Sequence, residues 1–372
     1  MPAWARDHGW VAVDNQYESE EEGKTMLSLN KMSGRISVAA MGALLATAVG
    51  LSPLSADEVI TWRVQSHWPS ASSSYGDSLE LLRDTVDERT DGRLKLELHP
   101  AGSLFSFGEI FSAVSRGVIP MGTISPAYEM DRLSTAGIAF GLPGAFQETW
   151  EAVYFFKHMG FEDMIREEAA EYDVFYATEK VYPTEMVAKE PIESLADFRG
   201  LNIRSSGTLQ TFLTETGAAA SMIPGEELYS ALQTGIVDGA HWGAVQGAQS
   251  MSLYEVARYH VRPPLNIGGI DAWVINQEAL DDLPDDIRTV LLDAIEEQFW
   301  WRTTEYMYQE QVALAQAMAE EGVELINLPD DVQARMVEVG EKMWEEQARE
   351  SERAAEAIDM LRELLADLGY ID

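Results

Sequence analysis

There is no cysteine anywhere in the 372 residues. That excludes disulfide frameworks, thiol nucleophiles, thiolate zinc sites and iron–sulfur clusters together. Basic residues are also scarce, with 26 Lys and Arg against 63 Asp and Glu and a net charge of −37. A nucleic-acid partner is excluded on that ground, because affinity for a phosphate backbone comes from clustered Lys and Arg. No GxSxG elbow, HExxH pair, Walker loop or GxGxxG after a strand is present. The histidines beyond residue 56 (His67, His99, His158, His241 and His260) show no metal-ligand spacing. What the chain does have is 46% hydrophobic residues and 9% aromatics, enough for a large core and two domains.

Residues 36–54 are the only long apolar run without a charge. Lys31 and Arg35 precede it, and Ser55 and Ala56 lead into Asp57. A basic flank, an apolar stretch and a small residue before a polar start describe a secretory signal over 26–56, cleaved after Ala56; a membrane anchor is the competing reading. The acidic stretch 1–25 does not suit the front of a signal and reads as a mis-assigned leader. From Asp57 onward, 57 acidic residues face 22 basic ones, only 5 of them Lys. Such a surface repels itself in dilute buffer, and its Lys depletion points to adaptation to brine.

Beyond the leader, short apolar runs alternate with amphipathic helices. Strands are expected at 59–64, 93–98 and 119–124, with helices between them. That β-α-β-α-β order predicts a parallel α/β sheet with helical crossovers. Ligands bind beyond the carboxyl ends of such strands, which puts 65–68 and 123–128 at a cleft mouth. A second α/β unit follows, with strands at 173–179, 185–188, 201–204 and 272–275, helices at 208–216 and 228–235, and the run 237–242 after the second of them. Long helices from 285 onward complete the chain, and an apolar stripe on the last of them leaves monomer and homodimer equally open.

Two segments carry a family resemblance. Residues 192–204 read IESLADFRGLNIR and residues 224–239 read PGEELYSALQTGIVDG. Together with the Gly141-Leu142-Pro143 turn, they resemble the periplasmic solute-binding proteins of TRAP transporters, the DctP family, over essentially all of 57–372. The resemblance implies a two-lobed α/β periplasmic binding protein fold with a parallel or mixed sheet in each lobe, a long connecting helix and C-terminal helices. It divides the chain into lobe I (57–180 with about 270–310) and lobe II (181–269 with about 311–372). It also implies a periplasmic receptor that closes on a small organic acid and hands it to membrane permease subunits.

In that family the Arg ending the first segment grips the ligand carboxylate, a role that falls here on Arg204. A planar five-donor fork suits a carboxylate as Lys cannot, and the empty protein is expected to owe little stability to it. The sequence leans toward the branch that binds 2-oxo and other monocarboxylic acids as a cation complex. That branch has Glu-Trp where this chain has His241-Trp242, which leaves the metal unknown and the ligand-bridging cation unassigned, with no other cofactor. His241 contacts the ligand or sits behind the pocket wall. Trp68 and Trp242 are candidates to stack on the ligand, with Tyr128, Gln65, Glu185 and Asp271 as further binding candidates. Ser72, Ser73 and Ser74 either offer backbone amides to an anion or cap a helix. A receptor for a zwitterionic compatible solute, a sensory receptor and a secreted carboxylate-dependent enzyme are the alternatives.

Overall fold

Alternating apolar residues fix the first strands. Ile60–Gln65 (β1) and Leu94–His99 (β2) run parallel, in register from Ile60 opposite Leu94 to Gln65 opposite His99. Between them the helix Leu81–Arg89 buries Leu82 and Val86. The helix Ile110–Ser115 then returns the chain to Met121–Ile124 (β3), parallel to β1. The expected crossover unit is therefore present, with strand ends shifted by one or two residues. The computed structural model describes residues 59–371; the leader, the signal segment and the cleavage after Ala56 lie outside the described residues.

The centre of the sheet departs from the sequence reading. Residues 173–179 and 185–188 were expected as separate strands, but Val174–Ala188 is one 15-residue strand (β4). Likewise 272–275 is only the end of the 18-residue strand Tyr259–Asn276 (β8). These two pair antiparallel along their whole length, with irregularities between Thr178 and Lys180 and on either side of Thr184. Such bulges break the two-residue alternation that marks a strand in sequence and re-aim the side chains near them.

Instead of two separate sheets, one nine-stranded mixed sheet results, and β4 and β8 run through both of its halves. In the first half, β2, β1 and β3 join the end of β8 and the start of β4. In the second, Asn202–Arg204 (β5) lies between Ala219–Ser221 (β6) and Gly239–His241 (β7), and β7 pairs with the end of β4. Glu324–Asn327 (β9) pairs with the start of β8.

One helix of 32 residues, Asp285–Gln316, serves both halves. Its Ile287, Leu291 and Ile295 pack with Val64, Leu82 and Trp273 of the first half, and its Ala313 packs with Leu232 and Val245 of the second. The helix Asp330–Gln347 buries Val332, Met336 and Val339 against Phe212 and Leu265. The last helix, Glu352–Asp367, turns back to the first half, where Ile358, Leu361 and Leu365 meet Phe155 and Phe161. The sequence reading grouped that helix with lobe II. Periodicity reveals an apolar stripe but not the surface it will cover.

Candidate functional site

The sheet halves face each other across a cavity at the carboxyl ends of β1, β3 and β5. It is lined by His67, Trp68, Ser72, Ser73, Ser74, Ser125, Tyr128, Phe140, Lys180, Tyr182, Thr184, Arg204, Ser206, His241, Trp242 and Asp271, with Tyr306 from the long helix. Its free volume is about 50 Å³, on a measure where one water takes about 10–15 Å³. That is room for a small acid of a few heavy atoms.

Arg204 closes β5 and is only 2% exposed. Its Nε donates to the Ile223 carbonyl at 3.0 Å and its Nη1 to the His241 carbonyl at 3.0 Å. The Nη2 side faces the Met222 thioether at 3.9 Å, and the Trp242 ring centroid is 5.2 Å from the guanidinium carbon. Arg204 makes no ion pair among the described residues. In a chain this acidic, a buried guanidinium without a carboxylate is unusual, because buried charges are ordinarily paired. The two carbonyl bonds correct one expectation, since Arg204 contributes to the stability of the empty protein as well.

His241 is buried, and its Nε2 lies 2.9 Å from Ser205 Oγ. Burial, then the Arg204 charge, holds its pKa well below 6.5, so the ring is neutral. Trp242 reaches back across the cavity, its indole N–H donating to Ser72 Oγ at 3.4 Å. Ser73 N donates to Ser250 Oγ at 3.1 Å, a second bond across the same gap. Tyr128 lies near the guanidinium; burial raises its pKa and Arg204 offsets part of that rise.

The opposite wall is organised by Asp271 on β8. Oδ1 accepts from Tyr182 Oη at 3.1 Å and lies 3.2 Å from His67 Nε2. Oδ2 accepts from the Trp68 indole at 3.2 Å and lies 3.7 Å from Lys180 Nζ. Burial raises the carboxyl's pKa, but His67, Lys180 and Trp68 together bring it below the ordinary 3.8. Asp271 is thus a charged carboxylate with both oxygens occupied. Lys180, opposite it across the strands, ion-pairs with Glu179 at 2.5 Å and donates to Ser74 Oγ at 3.0 Å.

Six of the eight residues singled out from the sequence line this cavity: Arg204, Trp242, Trp68, His241, Tyr128 and Asp271. Gln65 and Glu185 do not. Gln65 pins a loop, donating to the Pro100 carbonyl at 2.9 Å and accepting from Leu104 N at 3.0 Å. Glu185 points the other way, 2.5 Å from His260 Nε2 and 3.3 Å from Arg262 Nε. Side-chain direction decides both, by the alternation along β1 for Gln65 and by the bulge beside Thr184 for Glu185, and strand position alone does not give it. The sequence reading missed Lys180, Tyr182, Thr184 and Tyr306. One signal was available: a Glu-Lys pair inside a strand-like run, in a chain almost without Lys.

Residues 65–351 match the model of the DctP family, described as bacterial extracellular solute-binding protein, family 7. The chain belongs to this family. A monocarboxylate 2-oxoacid-binding periplasmic protein of Nostoc sp. is 23% identical over 292 residues, covering 78% of this chain and 79% of the relative. A TRAP transporter solute-binding protein of Bordetella bronchiseptica, solved with calcium and picolinate, superposes with a TM-score of 0.77 at 20% identity. That match covers 84% of this chain and 93% of the neighbour. A TRAP periplasmic solute-binding protein of Pseudoalteromonas atlantica, with sodium and pyruvate, also gives 0.77, at 21% identity over 84% and 95% of the two chains. This DctP-family chain shares their two-lobed fold and is a solute-binding receptor, not an enzyme.

The cations in those neighbours pose a test for this cavity. A sodium or calcium site needs several free oxygen ligands. Here Asp271, the one carboxylate of the lining among the described residues, already meets Tyr182, His67 and the Trp68 indole, and a neutral His241 is a poor ligand for a hard cation. Among the described residues no group of three or more His, Asp and Glu is placed to hold a metal ion. The donor set does not fit such an ion.

Proposed function

We propose that this chain is the exported substrate-binding subunit of a TRAP transporter, which captures a small monocarboxylate with a second acceptor oxygen, a 2-oxo or 2-hydroxy acid. The observation that carries the reading is the buried Arg204, which has two backbone partners, no acid partner among the described residues and a face on the cavity. The rest of the lining supports it, being rich in donors, with Asp271 its one carboxylate among the described residues. Each Asp271 oxygen already has two neighbours, which disfavours a zwitterion whose ammonium would need that carboxylate. The small free volume favours acids of about pyruvate size over sugar acids. The 2-oxoacid name of the Nostoc relative and the pyruvate in the Pseudoalteromonas neighbour point the same way.

Cleft closure then gives the transport step its logic. The ligand carboxylate completes the Arg204 ion pair only when Trp242 and the Ser72–Ser74 loop shut water out. The closed form is the one handed to the permease, outside the cytoplasmic membrane after removal of the segment ending at Ala56. Native mass spectrometry of the purified protein, followed by calorimetric titration with pyruvate, lactate and 2-oxobutyrate, tests the reading. One unchanged ligand per chain is expected; retention of an amine or a betaine instead would overturn it.

A further inference from the structure

We propose that the Lys180 ammonium is a built-in cation that binds the second oxygen of the ligand, so that this receptor takes up its acid without a metal ion. The inference rests on the carboxylate reading above and names what meets the other end of the molecule.

Lys180 is buried at the middle of β4 yet forms part of the cavity wall. An ammonium has three N–H donors. One goes to Glu179 at 2.5 Å and one to Ser74 at 3.0 Å. The third has only Asp271 Oδ2, at 3.7 Å, which is beyond hydrogen-bond length. One donor is therefore left for an acceptor in the cavity. Ring faces steady the charge from three sides, with Tyr182, Trp68 and Tyr306 centroids at 4.9, 5.3 and 5.4 Å.

A cation between two carboxylates, with one position open toward the ligand, is also what a bound metal would present. In this chain the position is filled covalently. A metal ion entering it would have to displace the ammonium from Glu179 and Asp271. The remaining candidate ligand, His241, is neutral and lies against Ser205. Lys180 and Arg204 thus hold the two ends of one small anion, the first its oxo or hydroxyl oxygen and the second its carboxylate.

The test is titration of the whole exported chain with pyruvate, lactate and 2-oxobutyrate in molar potassium chloride, which screens the surface carboxylates. It is run after chelation with EDTA and again with added calcium or sodium. We expect the same dissociation constant in all three media, and no stoichiometric calcium in the pyruvate-saturated protein by elemental analysis. Lys180→Met should weaken pyruvate by about ten- to hundredfold, the value of a hydrogen bond to a charged group. Because this variant leaves two carboxylates without their cation, the Glu179→Gln/Lys180→Met double variant serves if the single one does not fold. Affinity lost on chelation and restored by either cation overturns the proposal, as does wild-type affinity in a folded Lys180 variant. Absence of binding by all three acids in every medium overturns the carboxylate reading itself, and this inference falls with it.

Discussion

The guanidinium of Arg204 lies against the indole of Trp242, 5.2 Å from its ring centroid, and both side chains border the cavity. That contact flanks the Arg fork while its Nε and Nη1 bond the carbonyls of Ile223 and His241. A fork fixed in this way loses little entropy when an anion arrives.

Arg204→Ala should therefore do two things. Loss of the ligand's buried counter-charge should weaken binding by roughly 3–5 kcal/mol, two to four orders of magnitude. Two buried carbonyls also lose their donor, so the empty protein should be less stable by about 1–3 kcal/mol. Arg204→Lys separates the effects by keeping a charge while losing the fork. Calorimetry and thermal melting of both variants check this, and undiminished affinity in either would remove Arg204 from the site.

Gly225 explains a glycine in the second family segment. A Cβ at that position would stand 2.3 Å from Cη2 of Trp242. Gly225→Ala should push the indole off Arg204 and into the cavity, an overpacking cost of about 1–3 kcal/mol. Affinity should fall while the circular dichroism spectrum stays native. A crystal structure of the variant with Trp242 unmoved would contradict this account.

Acid should stabilise the protein over a defined window. Burial pushes Glu310 up to about 7, partly offset by the amides of Gln246 and Val245; burial likewise pushes Glu129 up to about 7, partly offset by Arg132. Unfolded, each titrates near 4.5. Between these values the folded state holds protons that the unfolded chain has released. Stability therefore falls as pH rises through the window, by on the order of a few kcal/mol per group. Asp271 has the opposite sign: its pKa is lowered from 3.8, so its contribution is lost only as pH falls below that range. Melting temperature at fixed high salt should rise from pH 8 to pH 6, and Glu310→Gln should flatten the slope.

The charge excess predicts salt dependence. With a net charge of −37 on 372 residues, melting temperature should climb steeply from dilute buffer to molar sodium chloride, where the Debye length shrinks to ~3 Å. A flat profile in scanning calorimetry would leave the acidity without a role in brine.

Local pattern was enough for much of this protein. The β-α-β-α-β opening, the absence of enzyme motifs, the acidic surface and the two family segments are all properties of neighbours in sequence. So is the placement of Arg204 at a strand end. Residues 180–184 were not legible in the same way. The bulges around Thr184 and after Thr178 erase the alternation that would announce one long strand, and the pairing that fixes them is nearly ninety residues away in sequence. Only that pairing sets Lys180 opposite Asp271 and turns Glu185 away toward His260, and only the packing of the long helix against β4 brings Tyr306 beside Tyr182 at the cavity. Burial completes the division: sequence shows that Arg204, His241 and Lys180 can carry charge, but only their packed surroundings leave His241 neutral, give Lys180 its carboxylate partners and give Arg204 two backbone carbonyls in place of an acid.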